Sequence, residues 1–270
     1  MKRIVEILKK CGAGDAACIK FSDCDIINER LVERLQFTPR SVFIATVPYY
    51  SEYCDQPKTV SSYALSHDYH ILLKHIAETA IGEAKTIFPN ATFKFFGDHS
   101  PINEKLAAAK AGLGIIGSHS LLITKQHSSF VFLFELISDL DCEIVSHNIE
   151  YCKKCNKCIS ACPGFLQGKC DCLSAITQKK GALTEEETAM IAQYGYAWGC
   201  DICQNVCPYT QEAIKNGTIY TNADWFNNNI CSSPNVDSVS DSNDFEKRAY
   251  SWRGKDTILR NINIINGENK

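Results

Sequence analysis

The cysteines are the feature of this sequence that most constrains how the chain can fold. There are 15 cysteines in 270 residues, and ten of them fall between Cys142 and Cys207. Disulfide frameworks are typical of small secreted proteins that cannot bury a sufficient core, whereas this chain is long and 45% hydrophobic. We therefore interpret the clustered thiols as metal ligands in a reducing compartment.

Two groups of cysteines have the spacing of ferredoxin-type iron–sulfur ligands. The first follows the pattern C-x2-C-x2-C-x3-C-P and consists of Cys152, Cys155, Cys158 and Cys162. The second follows C-x2-C-x3-C-P and consists of Cys200, Cys203 and Cys207. The second group lacks one early cysteine, which either Cys172 or Cys170 could supply from upstream.

Eight thiolates are enough to hold two 4Fe–4S clusters. In ferredoxins the cysteine before proline serves the other cluster, which predicts a crossed assignment of the ligands. One predicted cluster is held by Cys152, Cys155, Cys158 and Cys207, and the other by Cys162, Cys172, Cys200 and Cys203. Zinc is the alternative, but zinc sites use two C-x2-C pairs, or cysteines with histidines, at wider separations. We interpret most of the remaining cysteines as inert buried thiols.

The chain divides into three predicted segments of an α+β protein. Residues 1–145 are predicted to form an α/β or α+β domain, with strands at 42–47, 92–96 and 130–137 and helices at about 28–36, 68–87 and 102–111. Ser100 and Pro101 are expected to start the last of these helices, and Gly112 to end it. Residues 146–212 form the ferredoxin-like two-cluster domain. Residues 213–270 are predicted to be a polar linker and a C-terminal helix at about 244–264.

The glycines at 112, 114 and 117 superficially fit the dinucleotide-binding pattern G-x-G-x-x-G. They follow a helix-like segment and not a strand, so that interpretation fails its structural context. Two interpretations remain open. The glycines form a tight turn into a strand near residues 121–124, or they allow the backbone to approach a bulky cofactor closely.

The composition argues against a membrane-spanning protein and against a strongly basic protein. The net charge is −3, which does not indicate nucleic-acid binding by the chain as a whole. No run of about 18 apolar residues is present, and the N-terminus is typical of an amphipathic helix and not of a signal peptide. We expect a cytoplasmic protein without a membrane partner.

Four stretches, taken in order, resemble the epoxyqueuosine reductases, which are cobalamin and iron–sulfur enzymes that complete queuosine in tRNA. They are residues 62–70, residues 98–114, the cluster segment up to Pro208, and residues 251–261. The resemblance implies an N-terminal domain that holds cobalamin, two clusters that reduce it, and removal of the epoxide oxygen. It also favours Cys172 over Cys170 as the eighth cluster ligand.

The resemblance assigns further roles to residues of the first domain. Asp98 corresponds to the acidic residue that donates a proton, although an aspartate before a helix start is often a cap. The residues that correspond to cofactor contacts are Tyr69, His70, Gly112, Gly114, Gly117 and Ser118. Tyr69 and His70 are also compatible with an ordinary helix start. The chain departs from the family at Ile115, Ser118, Lys105 and Lys154, where Trp, Lys, Arg and Gly are usual.

The resemblance implies tRNA as a substrate and a low-potential electron donor such as flavodoxin or ferredoxin. The chain is similar to a short member of the family without the C-terminal helical-repeat domain. Its last basic residues form either a solvated helix face or a phosphate-contacting edge; they are Lys247, Arg248, Arg253, Lys255 and Arg260. Two other functions remain open: a corrinoid reductase for a small molecule, and a ferredoxin-type electron carrier without catalytic activity.

Overall fold

The computed structural model describes residues 1–141, 143–144, 146–166, 168 and 171–268. The chain forms two compact units, Met1–Pro48 with His70–Lys154, and Tyr49–Tyr69 with Cys155–Lys270. The first unit contains an antiparallel sheet and the second is helical, which confirms the α+β class. No helix in the described part of the chain is long and apolar enough to cross a membrane.

The first unit is built on a four-stranded antiparallel sheet in the order β1-β2-β6-β3, with a separate β4-β5 hairpin. The strands are β1 Asp15–Lys20, β2 Ser41–Pro48, β3 Phe93–Phe96, β4 Ile115–Ile116, β5 Leu122–Ile123 and β6 Val131–Ser138. The helices are α1 Lys2–Lys10, α2 Glu29–Glu33, α3 Tyr69–Ile87 and α4 Glu104–Lys110. The three predicted strands and three predicted helices are confirmed. Strands β1 and β4 were not predicted, whereas β5 lies within the strand near residues 121–124 that one interpretation of the glycines placed there.

The central strands of this sheet are its most buried part. Every residue of β2 is buried, as are seven of the eight residues of β6. Their near-continuous apolar runs are typical of strands that have both faces covered. Helix α4 packs beside them through the small side chains of Ala107, Ala108 and Ala109. This packing fixes the start of α4, and therefore the loop before it, against the sheet.

Helix α4 begins three residues later than the Ser100 cap predicted. Its N-cap is Asn103, whose side chain accepts a hydrogen bond from the backbone N–H of Leu106 at 3.2 Å. The Ser100 hydroxyl instead accepts a hydrogen bond from the N–H of Ile102, so its oxygen closes a local turn. Gly112 ends the helix as predicted, with a φ of +84°. The helix cap is therefore not Asp98.

The second unit consists of short helices. They are α5 Lys157–Ala161, α6 Pro163–Leu166, α7 Leu173–Thr177, α8 Glu185–Tyr194, α9 Ile202–Asn205, α10 Pro208–Lys215, α11 Val236–Ser240, α12 Ser242–Phe245 and α13 Lys255–Asn266. Turns of 3₁₀ helix occur at Phe21–Asp23, Glu52–Asp55, Ser62–Ala64, Asp224–Asn227 and Ser251–Arg253. A small apolar core joins α7, α8 and α13 through Ile176, Ile191 and Ile264.

The C-terminal segment differs from the predicted linker and helix. A 3₁₀ turn and two short helices lie between residues 224 and 245, although the polar composition of residues 213–243 predicted a loop. Asn235 and Asp241 cap these helices with their side chains. The last helix begins at Lys255 and not near 244, because Gly254 has a φ of +87° that interrupts the helical backbone.

Candidate metal centre and active site

The first cysteine motif lies on a sharply turning loop and a short helix. The backbone is left-handed at Lys154 (φ +51°) and at Asn156 (φ +61°), on either side of Cys155. Cys158 then lies on α5. Alternate left-handed residues curl a chain tightly, which suits thiolates that converge on one cluster. Glycine adopts the left-handed conformation of residue 154 more readily than lysine does.

Within the second unit, the structure brings together the four cysteines predicted for one cluster. Burial raises the pKa of Cys203 to about 12, with smaller contributions from the nearby thiols of Cys172, Cys162 and Cys158. Burial also raises the pKa of Cys200 to about 12, with smaller contributions from Asp201, Cys203 and Cys172. Thiols packed this closely repel one another when ionised, and bound iron would offset that repulsion. The donor set therefore fits an iron–sulfur cluster.

The four ligands predicted for the other cluster are divided between the two units of the chain. Cys152 belongs to the first unit, whereas Cys155, Cys158 and Cys207 belong to the second. All eight predicted ligands are free thiols. Cys155 is exposed, and Cys158 and Cys207 are buried. The division of ligands between the two clusters stays a prediction, and Cys170 lies outside the described residues.

A buried aspartate holds the loop that carries Cys200 and Cys203. Asp201 is fully buried, and its carboxylate accepts hydrogen bonds from the Ser61 hydroxyl and from the backbone N–H and hydroxyl of Ser62, the latter two at 2.7 Å. A Cβ atom at Gly199 would lie 2.4 Å from that of Ser61. Sequence analysis assigned no role to Asp201; its position between two cluster cysteines was the only signal.

The C-terminal helix supports the same region through Asn261. This fully buried side chain donates hydrogen bonds to the carbonyl oxygens of Thr177 and Ala197, at 2.7 and 2.8 Å. The Thr177 hydroxyl accepts a hydrogen bond from the N–H of Gly199 at 2.9 Å. Asn261 therefore connects α13 to the segments that lead into Cys200.

Three residues of the predicted basic patch have internal hydrogen-bond partners, and one of them, Lys255, donates to the carbonyl oxygen of Ser240 at 3.0 Å. Arg248 is 4% exposed and donates to the carbonyl oxygens of Leu65 and Asn229, while its guanidinium pairs with Asp244 at 2.8 Å. Arg260 donates to the carbonyl oxygen of Lys179 at 2.8 Å. These two arginines therefore stabilise the fold, which leaves fewer cations for a phosphate-binding edge.

Asp98 and His70, both predicted site residues, come together in the first unit. Their side chains approach to 3.2 Å between Oδ2 and Nε2, and each is about half exposed. Asp98 lies in the loop between β3 and α4 and has a φ of +60°, an uncommon backbone conformation for a residue other than glycine. Tyr69 belongs to the second unit, where its ring packs edge-on against Tyr63 with centroids 6.1 Å apart.

Two acids with buried carboxyl oxygens lie near Asp98, and neither was predicted from the sequence. Burial raises the pKa of Glu104 to about 7, with a smaller contribution from the charge of Asp98. Burial also raises the pKa of Glu135, a fully buried residue of β6, well above its usual value, with a further contribution from Glu104. A glutamate within the apolar run 130–137 was the available signal. The region can therefore hold protons near neutral pH.

The predicted cofactor glycines have local structural roles. A Cβ at Gly114 would lie 2.4 Å from the carbonyl oxygen of Ile123, so the β4-β5 hairpin itself requires glycine there. A Cβ at Gly117 would lie 2.5 Å from the ring of His119. These contacts support the turn interpretation of the glycine pattern. Contact of these residues with a cofactor stays a prediction.

Ser118 contacts a predicted cluster ligand. Its backbone nitrogen and hydroxyl oxygen lie 3.3 and 3.4 Å from the sulfur of Cys152. Burial acts to raise the pKa of Cys152, but hydrogen bonds from Ser118 and Lys154 hold it below the usual value. Ser118 and Cys152 line a cleft of about 470 Å³, together with Lys105, Gly117 and Lys154.

The cysteine-rich segment matches a known family of iron–sulfur domains. Residues 151–210 match the family described as the 4Fe-4S double cluster binding domain. This range contains all eight predicted ligands. The prediction of two 4Fe–4S clusters is therefore confirmed.

Curated relatives resemble a larger part of the chain. An epoxyqueuosine reductase of Leadbetterella byssophila is 30% identical over 223 residues, which cover 77% of this chain and 70% of that protein. One from Lactococcus garvieae is 33% identical over 204 residues, covering 72% of this chain and 57% of that protein. The chain thus spans less than two thirds of the length of several curated relatives that it matches.

Solved structures share the fold. The epoxyqueuosine reductase of Bacillus subtilis, in a form whose catalytic aspartate loop is swung out of the active site, has a TM-score of 0.79 at 22% identity, covering 98% of this chain and 80% of that one. An epoxyqueuosine reductase bound to an epoxyqueuosine-modified tRNA-Tyr stem loop has a TM-score of 0.77 at 20% identity, with the same coverage. From its relatives and its two-cluster domain, we conclude that this chain belongs to the epoxyqueuosine reductase family.

Proposed function

We propose that this protein is a cobalamin-dependent iron–sulfur reductase that removes the epoxide oxygen of epoxyqueuosine in tRNA and gives queuosine. The observation that carries the proposal is the pairing of Asp98 with His70 on an accessible part of the first unit, in a chain that carries a two-cluster domain. Conversion of an epoxide to an alkene and water consumes two electrons and two protons. The protein must therefore supply both.

The family resemblance assigns the residues that would hold cobalamin, which are Tyr69, His70, Gly112, Gly114, Gly117 and Ser118. Gly117 and Ser118 line the same cleft as the predicted cluster ligand Cys152, which supports a cofactor next to an electron source. A cleft of this size, with two lysines and a few polar groups, is typical of a ligand site. When bound, cobalamin supplies a low-potential cobalt centre for the reduction.

Asp98 is the proposed proton donor. Asp98 does not cap α4, because Asn103 does, and its carboxylate instead lies 3.2 Å from the Nε2 atom of His70. His70 lies within hydrogen-bond reach and can return a proton to Asp98 after each turnover. Glu104, with a pKa raised to about 7 by burial, is a second group near Asp98 that holds a proton near neutral pH.

An assay with the reconstituted holoenzyme tests this function. The protein would be given reductant and tRNA that contains epoxyqueuosine, and the modified nucleoside would be measured by mass after digestion. We expect loss of one oxygen atom from the nucleoside. Asp98→Asn should lower the rate about 100-fold or more while iron and cobalt contents stay unchanged. Asp237→Asn, at an exposed position on α11, is the matched control and should keep full activity.

A small-molecule substrate is the second candidate. The observation that favours it is the internal use of Arg248 and Arg260, which reduces the basic surface available for tRNA. The free epoxyqueuosine nucleoside and the modified tRNA would be compared by kcat/KM. Preference for tRNA by at least tenfold supports the first proposal; equal values, or preference for the nucleoside, support the second.

We also propose a flavodoxin or ferredoxin as the electron donor, and a cytoplasmic location in which the thiols stay reduced. Lysines at 153, 154 and 157 surround the exposed Cys155 in the sequence. Such a cluster of cations is suited to an acidic donor protein, and its effect should weaken as salt screens the charges. Reduction rates measured with purified flavodoxin at rising ionic strength would test this, and a salt-independent rate would contradict it.

A further inference from the structure

Ser118 presents two hydrogen-bond donors to the sulfur of Cys152. The backbone N–H lies 3.3 Å from the sulfur and the hydroxyl oxygen lies 3.4 Å from it, both within the range for a sulfur acceptor. When Cys152 ligates iron it does so as a thiolate, which has no proton to donate. The Ser118 hydroxyl must then be the donor of the second hydrogen bond.

The surrounding backbone holds Ser118 and Cys152 in this arrangement. The N–H of Cys152 donates to the carbonyl oxygen of Ile116 at 3.0 Å, and the N–H of Ile116 donates to the carbonyl oxygen of Glu150 at 2.9 Å. In the adjoining turn, the N–H of Gly117 donates to the carbonyl oxygen of Leu121 at 2.9 Å. Because residues 150–152 pair with β4 directly beside this turn, the donors of Ser118 need little reorganisation to meet the sulfur.

We propose that Ser118 is a positioning residue that raises the reduction potential of the cluster ligated by Cys152. Addition of an electron makes a thiolate-ligated cluster more negative. Donors directed at a ligand sulfur therefore stabilise the reduced form more than the oxidised form, which is one of the known controls on cluster potential. The other cluster has no part in this contact and should be unaffected.

The side chain of Ser118 can be tested separately from its backbone N–H. Ser118→Ala removes the hydroxyl and keeps the amide, whereas Ser118→Thr keeps both donors. A hydrogen bond to a charged group contributes enough to shift an equilibrium by roughly tenfold. For Ser118→Ala we expect an equilibrium constant of one-electron reduction about tenfold lower, which corresponds to a fall of about 59 mV in the midpoint potential of one cluster.

The experiment is a redox titration of the anaerobically reconstituted protein, followed by electron paramagnetic resonance. The proposal predicts a lower potential for one cluster in Ser118→Ala and a nearly unchanged value in Ser118→Thr. Ser160→Ala is the matched control, because Ser160 is an exposed serine within the first cluster motif. Unchanged potentials in Ser118→Ala, or equal shifts of both clusters, would overturn the proposal.

A second measurement covers the case in which Ser118→Ala does not load its clusters. In wild-type protein exchanged into deuterium oxide, a deuteron on the Ser118 hydroxyl should couple to the reduced cluster. Ser118→Cys keeps a weaker donor of similar size, so it should load and show an intermediate potential. Absence of exchangeable coupling in the wild type, or a wild-type potential in Ser118→Cys, would contradict the proposal. These readouts depend on the cluster domain and not on the proposed substrate.

Discussion

Single residues near the clusters carry much of the local order in the second unit. Asp201 has no contact with solvent, and it anchors the loop of Cys200 and Cys203 through the hydroxyls of two serines and one backbone N–H. A carboxylate is a stronger acceptor than a neutral amide, and an amide also brings N–H groups that would face these donors. The position therefore requires a side chain with two acceptor oxygens.

We predict that Asp201→Asn lowers the stability of the reconstituted protein by on the order of 2–3 kcal/mol. The measurement is thermal unfolding under anaerobic conditions, together with the iron content. Asp237→Asn changes an exposed aspartate and should leave the melting temperature unaltered. A melting temperature of Asp201→Asn equal to that of the wild type would show that the Asp201 carboxyl group does not hold the loop of Cys200 and Cys203.

Glu104 is a residue whose ionisation should make stability depend on pH. Its pKa is raised from 4.5 to about 7 in the folded protein. Between these values the folded state binds more protons than the unfolded state, so the free energy of unfolding falls as the pH rises. Ionisation of Glu104 lowers the free energy of unfolding by at most about 3 kcal/mol over this pH range.

Glu104→Gln should remove this part of the pH dependence. We expect the free energy of unfolding of the variant to change less between pH 4.5 and 7 than that of the wild type, as measured by denaturant unfolding. The charge of Glu104 also raises the pKa of Glu135, so the difference between the two proteins contains the contribution of Glu104 and its effect on Glu135, both in the same direction. Identical pH profiles of the two proteins would show that burial does not raise the pKa of Glu104.

At the scale of secondary structure elements, the β4-β5 hairpin depends on a glycine for a steric reason. Gly114 faces the carbonyl oxygen of Ile123 so closely that any Cβ would collide with backbone. We predict that Gly114→Ala destabilises the first unit by about 2–4 kcal/mol, because the backbone of β5 must shift. Gly82→Ala is the control: Gly82 lies within α3 with open space around it, and alanine there should stabilise by roughly 0.5–1 kcal/mol. Equal effects of the two substitutions would contradict this account.

The elements that sequence analysis found are those with long apolar or amphipathic patterns. Strands β2 and β6 were predicted because their buried runs leave a strong local signal. Strand β1 was missed because its six residues, DAACIK, have little hydrophobic periodicity, and its pairing with β2 fixes it. The hairpin has only two residues in each strand, which is too short for any periodicity to be detected.

For the molecule as a whole, sequence spacing was enough to predict the cluster ligands but not the supports around them. Cysteines two and three residues apart constrain their own geometry. The contacts of residues 59–62 with residues 197–201 join segments more than 130 positions apart, and spacing alone carries no information on such pairs. For the same reason, segment 49–69 was assigned to the first domain, whereas its contacts group it with the second unit.

In the candidate active site, too, some residues were predicted from the sequence, and others are defined only by their contacts in the fold. Asp98 and His70 were predicted as site residues from the family resemblance. Glu104 and Glu135 were not, because their raised pKa values depend on burial. The basic residues at the C-terminus were predicted as one patch, although Arg248 is buried. The number of basic residues in a segment does not show which of them face solvent and which donate hydrogen bonds to buried carbonyl oxygens.

The most direct test of the account is to reconstitute the chain anaerobically with iron, sulfide and cobalamin, and to remove unbound cofactor. Iron and cobalt would then be counted per chain, and the visible spectrum recorded. The account predicts about eight irons and one cobalt per chain, with the spectrum of a base-off corrinoid. Eight irons with no retained cobalt would contradict the proposed reductase and leave an electron carrier as the function of this chain.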